Sequence, residues 1–156
     1  MASASPETVA MFSEVTDSVR RSFHKHGSMG CMFICETEDR ERITFEAAGA
    51  LGEWAVAVKS LRKSFRRLKV ARYVCVTECS ADAVDAATHP SGIRNCGKGV
   101  MVLAVDSTSV PICSRAEIKH DADGKETLGP WESIELSGRW RSRLIKVRRS
   151  GRNDGA

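Results

Sequence analysis

Apolar side chains recur every third or fourth residue in two stretches of the chain, and this spacing predicts two amphipathic helices. The first helix begins near Ser5 and Pro6, because serine caps a helix start well and proline fits the first helical position. Gly27 ends it, since glycine readily takes the left-handed conformation found after helices. Its apolar face consists of Phe12, Val15, Val19 and Phe23.

The second helix combines an apolar face with a strongly basic back. Its apolar positions are Leu51, Trp54, Val58, Leu61, Phe65 and Leu68. The opposite face carries Lys59, Arg62, Lys63, Arg66 and Arg67. Directly after it, Tyr73-Val74-Cys75-Val76 is an apolar, β-branched run, which predicts a buried strand. We therefore expect this helix to dock beside a central strand with its basic side outward.

Further apolar runs bounded by turn residues predict the other strands. Glu38 to Glu41 and Asp121 to Gly124 are polar turns that predict hairpins. Residues 80–99 show little periodicity and predict a long surface loop. Residues 139–148 fit one face of a helix and a strand almost equally, so both remain open. The expected strands cover residues 31–35, 42–45, 73–79, 100–105, 110–119 and 125–136.

The element order is therefore α-β-β-α-β-β-β-β, followed by a basic C-terminal segment. It predicts an α+β fold: one domain over residues 1–149, with two main helices on a mainly antiparallel sheet of about five strands. Residues 150–156 are expected to be disordered. The order of helix, hairpin, helix and three strands is similar to that of the roadblock and profilin-like platforms, which are mostly interaction modules.

Four short motifs are spread over about half of the chain: residues 72–78, residues 100–103, residues 117–125 and Leu128-Gly129. They resemble an uncharacterised group of small proteins from bacteria, phages and plasmids. The resemblance implies no activity, because none is assigned to that group.

Composition narrows the class of protein. The hydrophobic fraction of 42% and the charged fraction of 28% are typical of a soluble globular domain. No apolar run approaches the roughly 20 residues of a membrane span, and the first seven residues lack the basic start and apolar centre of a secretory signal. We therefore expect a cytoplasmic protein with reduced cysteines and no membrane partner.

The net charge of +4 conceals a strong asymmetry. Residues 59–72 contain seven Lys/Arg and no acid, and residues 138–152 contain the same. The rest of the chain then holds ten basic residues against all 20 acids. Two basic segments on an acidic body point to an anionic partner. The second segment contributes Arg139, Trp140, Arg141 and Arg143, in which the indole can stack on bases of single-stranded nucleic acid.

The leading hypothesis is a non-enzymatic interaction module that binds nucleic acid or an acidic protein surface through these two segments, without a cofactor. A second hypothesis is a protein-binding or inhibitor module of phage or plasmid origin, which docks through a strand edge or the C-terminal segment. Association with a second copy is also open.

Three other groups of residues contain side chains suited to binding an anion or a metal ion. Arg94 and Lys98 lie in a glycine-rich loop that can meet an anion, but Gly99 stands where a nucleotide-binding loop needs a hydroxyl, and the loop precedes a strand rather than a helix. His24, His26, Cys31 and Cys35 are zinc-ligand types, yet cysteines four apart on a strand are about 13 Å apart. The Asp-Gly turn lacks the closing glutamate of a calcium loop. No metal site is predicted.

Glu36 and Glu78 define the enzymatic alternative. Each follows an apolar strand, and two aligned strand ends would bring the carboxyl groups together as an acid/base pair. A Gly-x-Ser-x-Gly motif is absent from the sequence, and no nucleophile partner for His89 or His120 stands out.

Overall fold

The computed structural model describes residues 4–27, 30–47, 54–79, 98–136 and 140–146. In these ranges two helices and six strands follow the order α-β-β-α-β-β-β-β. The helices are α1 (Pro6–His26) and α2 (Trp54–Arg67). The strands are β1 (Cys31–Thr37), β2 (Arg42–Ala47), β3 (Val70–Cys79), β4 (Gly99–Asp106), β5 (Ile112–His120) and β6 (Glu126–Ser133).

Helix α1 has the start and the end that its sequence predicts. The backbone N–H of Thr8 donates to Oγ of Ser5 at 3.2 Å, so one of the free amides of the first turn is satisfied. Gly27 adopts φ 73° and its N–H donates to the carbonyl of Phe23 at 2.7 Å. The buried side of α1 is formed by Met11, Val15, Val19 and Phe23, together with Thr8 and Thr16.

The six strands form one antiparallel sheet in the order β2-β1-β3-β4-β5-β6. A four-residue turn, residues 38–41, joins β1 to β2, with Arg40 in the left-handed region at φ 66°. The chain then crosses through α2 to β3, which pairs with the other side of β1. Strands β3 and β4 therefore lie at the centre of the sheet, and β2 and β6 lie at its edges.

Both faces of the sheet are covered, because alternate residues of each strand point to opposite sides. Val74 and Val76 of β3 pack with the buried side of α1. Tyr73 and Cys75 of the same strand pack with Val58, Leu61 and Phe65 of α2. All eight residues of β4 are buried, as expected for a central strand with a layer on each face.

The predicted α+β fold, with two main helices and a mainly antiparallel sheet, is confirmed, and two details are corrected. Within the described ranges the sheet has six strands rather than about five, and β6 pairs with β5 across Gly129 and Pro130 through a shift in register between Ala116 and Ile118. Residues 140–146 form neither helix nor strand. The predicted loop within residues 80–97 and the disordered end at residues 150–156 lie outside the described residues.

Candidate anion-binding surface

The five basic residues of α2 all point away from the core. Val58, Leu61 and Phe65 on the other side of the helix are 7%, 8% and 1% exposed. The Phe65 ring packs against three aromatic rings of the sheet, with centroid distances of 6.2 Å to Phe33, 5.6 Å to Phe45 and 5.4 Å to Tyr73. This packing fixes the rotation of α2 about its axis. The exposed residues on its back are Lys59, Arg62, Lys63, Arg66 and Arg67.

These five residues form two rows along the helix. Residues four apart lie one above the other, with a rise of about 6 Å per step. Lys59, Lys63 and Arg67 form the first row. Arg62 and Arg66 form the second. Helix α2 thus presents a ladder of cations about 12 Å long, and its sequence contains no acid between Trp54 and Arg67.

The C-terminal segment, residues 140–146, is docked on the same face of the sheet as α2. Leu144 is 3% exposed within the α2-side apolar cluster, and Trp140 and Ile145 pack against that cluster. The hydroxyl groups of Ser142 and Tyr73 are hydrogen-bonded at 2.6 Å. Oγ of Ser142 also accepts the backbone N–H groups of Leu144 and Ile145. The segment is therefore part of the folded layer.

One hydrogen bond joins this segment directly to α2. Nε of Arg62 donates to the backbone carbonyl of Arg143 at 2.7 Å. It places the chain that carries Arg141 and Arg143 beside the second row of α2. Arg141 is exposed and Arg143 is half-buried. The described part of the second basic segment, residues 140–146, thus lies next to the basic side of α2. We call the two together the basic surface and define it as Lys59, Arg62, Lys63, Arg66, Arg67, Arg141 and Arg143.

The cations of α2 are not neutralised by the protein's own acids in the described ranges. The ion pairs described there join Arg42 to Glu14 and Glu36, and Arg72 to Glu36 and Asp106. None of these pairs involves a basic residue of α2.

The sequence-predicted residues are not all part of this surface in the way expected. Trp140 is half-buried against the α2-side cluster, so its indole contributes to packing. Arg139 lies outside the described residues. Arg72, which was counted with the first basic segment, points to the opposite face of the sheet, because it has the same strand parity as Val74 and Val76.

Arg72 instead belongs to a row of alternating charges across four strands. The register places Arg42 of β2 opposite Glu36, Glu36 opposite Arg72, and Arg72 opposite Asp106. Arg72 Nη1 is paired with Glu36 and its Nε donates to Asp106 at 3.1 Å. Thr8, at the start of α1, donates to the same oxygen of Asp106 at 3.0 Å. This row fastens α1 to one end of the sheet.

The carboxyl group of Asp106 is ionised in this environment. Burial alone would raise its pKa, but hydrogen bonds from Thr108, Thr8 and Arg72 outweigh burial and hold the pKa below the ordinary value of 3.8. Sequence reasoning missed Arg72 and Asp106 as partners. The available signal was their position: each is the single charged residue at one end of an apolar strand.

The acid/base pairing of Glu36 with Glu78 is contradicted by the register. Glu36 lies opposite Arg72, whereas Glu78 lies opposite Val100 at the other end of β3. Six residues of strand separate Arg72 from Glu78, a distance of about 20 Å. Strands β1 and β3 run antiparallel, so their final residues lie at opposite ends of the sheet. Glu36 serves the charge row instead.

The glycine-rich loop offers a structural reason for its last glycine. Lys98 is exposed and its carbonyl accepts the N–H of Ile118 at 3.3 Å. A Cβ on Gly99 would lie 2.6 Å from the carbonyl oxygen of Ala116, so only glycine allows β4 and β5 to approach here. Arg94 lies outside the described residues.

Four cysteines lie buried in the α2-side layer without a disulfide bond: Cys31, Cys35, Cys75 and Cys113. Burial raises the pKa of Cys35 and of Cys113 to about 12. A hydrogen bond with Cys31, together with burial, raises the pKa of Cys75 well above its usual range. The thiols of Cys35, Cys75 and Cys113 are therefore protonated and unreactive at neutral pH. Among the described residues, no group of three or more His, Cys, Asp or Glu side chains is placed to hold a metal ion.

Comparisons of the chain with protein-family models, with curated proteins and with solved structures returned no match. Within the described ranges, neither helix combines the length and the apolar character needed to cross a membrane.

Proposed function

We propose that the protein is a nucleic-acid-binding module that contacts the phosphate backbone through the basic surface. The observation that carries the proposal is the hydrogen bond between Arg62 and the carbonyl of Arg143, because it joins two acid-free segments into one patch. Phosphate contacts of this kind give affinity without sequence readout.

Arginine content favours phosphate over protein carboxylates as the ligand. Five of the seven residues of the basic surface are arginines, whose planar guanidinium donates two parallel hydrogen bonds to a phosphate. Protein acids are seldom arranged in a regular row, whereas backbone phosphates repeat at intervals comparable with the steps of the cation ladder on α2. Trp140 lies in the same segment, although its partial burial makes it a minor stacking partner.

The test compares two double variants that change the net charge equally. Lys63→Glu/Arg67→Glu reverses two cations four residues apart on α2. The control, Arg21→Glu/Lys25→Glu, reverses an exposed pair with the same spacing on α1, at the opposite face of the sheet. Binding of a labelled single-stranded oligonucleotide and of its duplex is followed by fluorescence anisotropy over a range of salt concentrations.

We expect the α2 variant to bind about tenfold or more weakly at moderate salt, and the slope of log affinity against log salt to fall by about 2. The α1 variant should keep most of the affinity. Equal losses in both variants would mean that only net charge matters, and no salt-dependent binding to either oligonucleotide would refute the proposal. Salt-dependent binding to polyglutamate but not to oligonucleotides would assign the surface to an acidic protein partner instead.

We further propose a cytoplasmic location. The supporting observation is that four buried cysteines in one layer of the core form no disulfide bond, as is usual where thiols are kept reduced.

A further inference from the structure

The two edges of the sheet differ in whether described residues contact their outward backbone groups. At β6, helix α1 occupies outward backbone groups of Leu128 and Gly129, in the middle of the strand. The N–H of Leu128 donates to Nε2 of His24 at 3.4 Å. The two guanidinium nitrogens of Arg20 donate to the carbonyls of Leu128 and Gly129 at 2.9 and 2.7 Å. Pro130 lies in the same strand and lacks an N–H. The β6 edge is therefore closed to another strand.

At β2, no described strand or side chain takes up the outward backbone groups. The N–H of Thr37 donates to the carbonyl of Glu41 at 2.9 Å, which fixes the parity of the β1–β2 ladder. Ile43 and Phe45 then hydrogen-bond to β1, and the N–H and C=O groups of Arg42, Thr44 and Glu46 point outward. All three of these side chains are exposed. The edge thus presents three donors and three acceptors in a row.

The sequence of β2 is complementary to itself in one antiparallel register. With Thr44 opposite Thr44 of a second copy, Arg42 lies opposite Glu46 of that copy, and Glu46 lies opposite its Arg42. The same register places Ile43 opposite Phe45 on the other face of the sheet, so charges meet opposite charges and apolar side chains meet apolar ones. It also matches outward groups with outward groups, which allows six hydrogen bonds.

We propose that the β2 edge binds the β2 edge of a second copy of this chain, in an antiparallel pairing centred on Thr44. The charge pattern favours a second copy as the partner. The paired positions require a strand with a basic and an acidic residue four apart, and β2 itself is such a strand. The pairing is isologous, with its two-fold axis perpendicular to the sheet. It forms a continuous twelve-stranded sheet.

The same axis places α2 of both copies on one face of the joined sheet. Phe65 of α2 contacts Phe33 of β1 and a ring on each adjacent strand, so it lies above β1. Three strand spacings then separate the two helices by about 14 Å, which exceeds the 8–10 Å of packed helices and avoids a clash. Each copy contributes only one short strand to the contact. We therefore expect a dimer dissociation constant on the order of tens of micromolar.

The experiment measures the mass of the purified protein by sedimentation over a wide concentration range, without nucleic acid, so its result is independent of the proposed function. The first variant is Thr44→Pro, which removes an outward N–H that the monomer does not use and is therefore tolerated in the fold. Its control is Thr44→Val, which keeps the N–H. We expect a dimer for the wild type and for the valine variant, and a monomer for the proline variant.

Charge reversal tests the register. Glu46→Arg alone places arginine opposite arginine, and Arg42→Glu alone places glutamate opposite glutamate, so each variant should dimerise at least tenfold more weakly than the wild type. An equimolar mixture of the two restores both opposite-charge pairs and should give a heterodimer. Circular dichroism checks each variant for folding, because Arg42 also pairs with Glu14 and Glu36.

Cross-linking provides a check that does not depend on affinity. In the proposed register the two Thr44 Cα atoms are about 5.5 Å apart, within the range for a disulfide, so Thr44→Cys should cross-link under mild oxidation. Val110→Cys, an exposed position beside β5 and four strands away, should not cross-link beyond the wild-type level. A wild type that stays monomeric at several hundred micromolar, a dimer that survives Thr44→Pro, or equal cross-linking through both cysteines would overturn the proposal.

Discussion

The hydroxyl groups of Tyr73 and Ser142 are hydrogen-bonded at 2.6 Å, which ties a central strand to a segment 69 residues further along the chain. Tyr73 is 1% exposed, so this hydrogen bond is formed away from bulk water. Burial raises the pKa of its phenol far above the usual range. The tyrosine therefore remains protonated, and able to form this bond, at neutral pH.

Replacing Tyr73 by phenylalanine should loosen the C-terminal segment without unfolding the sheet. The ring and its packing on Phe65 remain, and one hydrogen bond is lost, so we expect the free energy of unfolding to fall by about 1 kcal/mol. The amides of Leu144 and Ile145 should exchange hydrogen faster, as measured by mass spectrometry. Ser142→Ala, which also removes the acceptor for both amides, should accelerate their exchange further. Unchanged exchange in both variants would show that the hydroxyl pair does not hold the segment.

Truncating Leu144 tests whether residues 140–146 belong to the core. Leu144→Ala removes a side chain that is 3% exposed, and a cavity of this kind costs about 2–3 kcal/mol. Lys146→Ala, at an exposed position two residues on, should change stability by less than about 0.5 kcal/mol. Urea unfolding monitored by circular dichroism gives both values. If the two variants are equally stable, the segment is an appendage and the basic surface loses its second half.

The C-terminal segment also shows where sequence reasoning reaches its limit. Trp140 and Leu144 are four residues apart, a spacing compatible with a helix and with a strand. What fixes the segment is its contact with Tyr73 and with Arg62, which are 69 and 81 residues away from their partners. A local pattern of apolar and polar residues carries no information about such contacts.

Helix α1 was predictable for the opposite reason. Its cap at Ser5, its apolar face and its end at Gly27 are all encoded within 27 residues. The cap and the end appear as expected, and the face differs only in that Met11 is buried while Phe12 is partly buried. The sequence predicts the start of β3 at Tyr73, whereas the strand begins three residues earlier, at Val70. In the turn before it, Lys69 adopts φ 54°. This left-handed conformation is uncommon for residues other than glycine, so a lysine in the sequence does not predict it. Exposure of the basic side of α2 was likewise predictable, because periodicity alone assigns the buried side.

Asp106 should make stability depend on acid pH. Its pKa is lower in the folded state than the ordinary value of 3.8, so the folded state binds a proton less readily than the unfolded chain. The stabilisation it contributes is complete above the unfolded pKa and is lost as the pH falls through the folded pKa. Asp106→Asn should cost about 3 kcal/mol at pH 7, because it removes the buried carboxylate that pairs with Arg72.

The pH dependence separates this effect from general destabilisation. The difference in unfolding free energy between the wild type and Asp106→Asn should narrow as the pH is lowered from 6 towards 2, as measured by urea unfolding at each pH. Glu14→Gln is the control: the pKa of Glu14 is also lowered by its hydrogen bond to Arg42, but the pair is exposed and contributes little. If the difference in unfolding free energy between the wild type and Asp106→Asn stays constant with pH, the carboxyl group of Asp106 is not ionised in the folded state.

Arg20 is predicted to protect the β6 edge, and its neighbour Arg21 supplies the matched control. Arg20→Ala removes the two hydrogen bonds to Leu128 and Gly129 and the contact of the guanidinium with the Trp131 ring at 5.5 Å. We expect a loss of about 2 kcal/mol in the free energy of unfolding. Arg21 is exposed on the same helix, and Arg21→Ala should cost less than about 0.5 kcal/mol.

Arg20→Ala should also increase self-association, because it frees two carbonyls on a strand edge that α1 normally covers. Thermal unfolding and light scattering at rising concentration measure both effects. To keep association through β2 separate, the comparison is made in the Thr44→Pro background. Equal stability and equal scattering for the Arg20 and Arg21 variants would mean that Pro130 and the shift in register between β5 and β6 close this edge without help from α1.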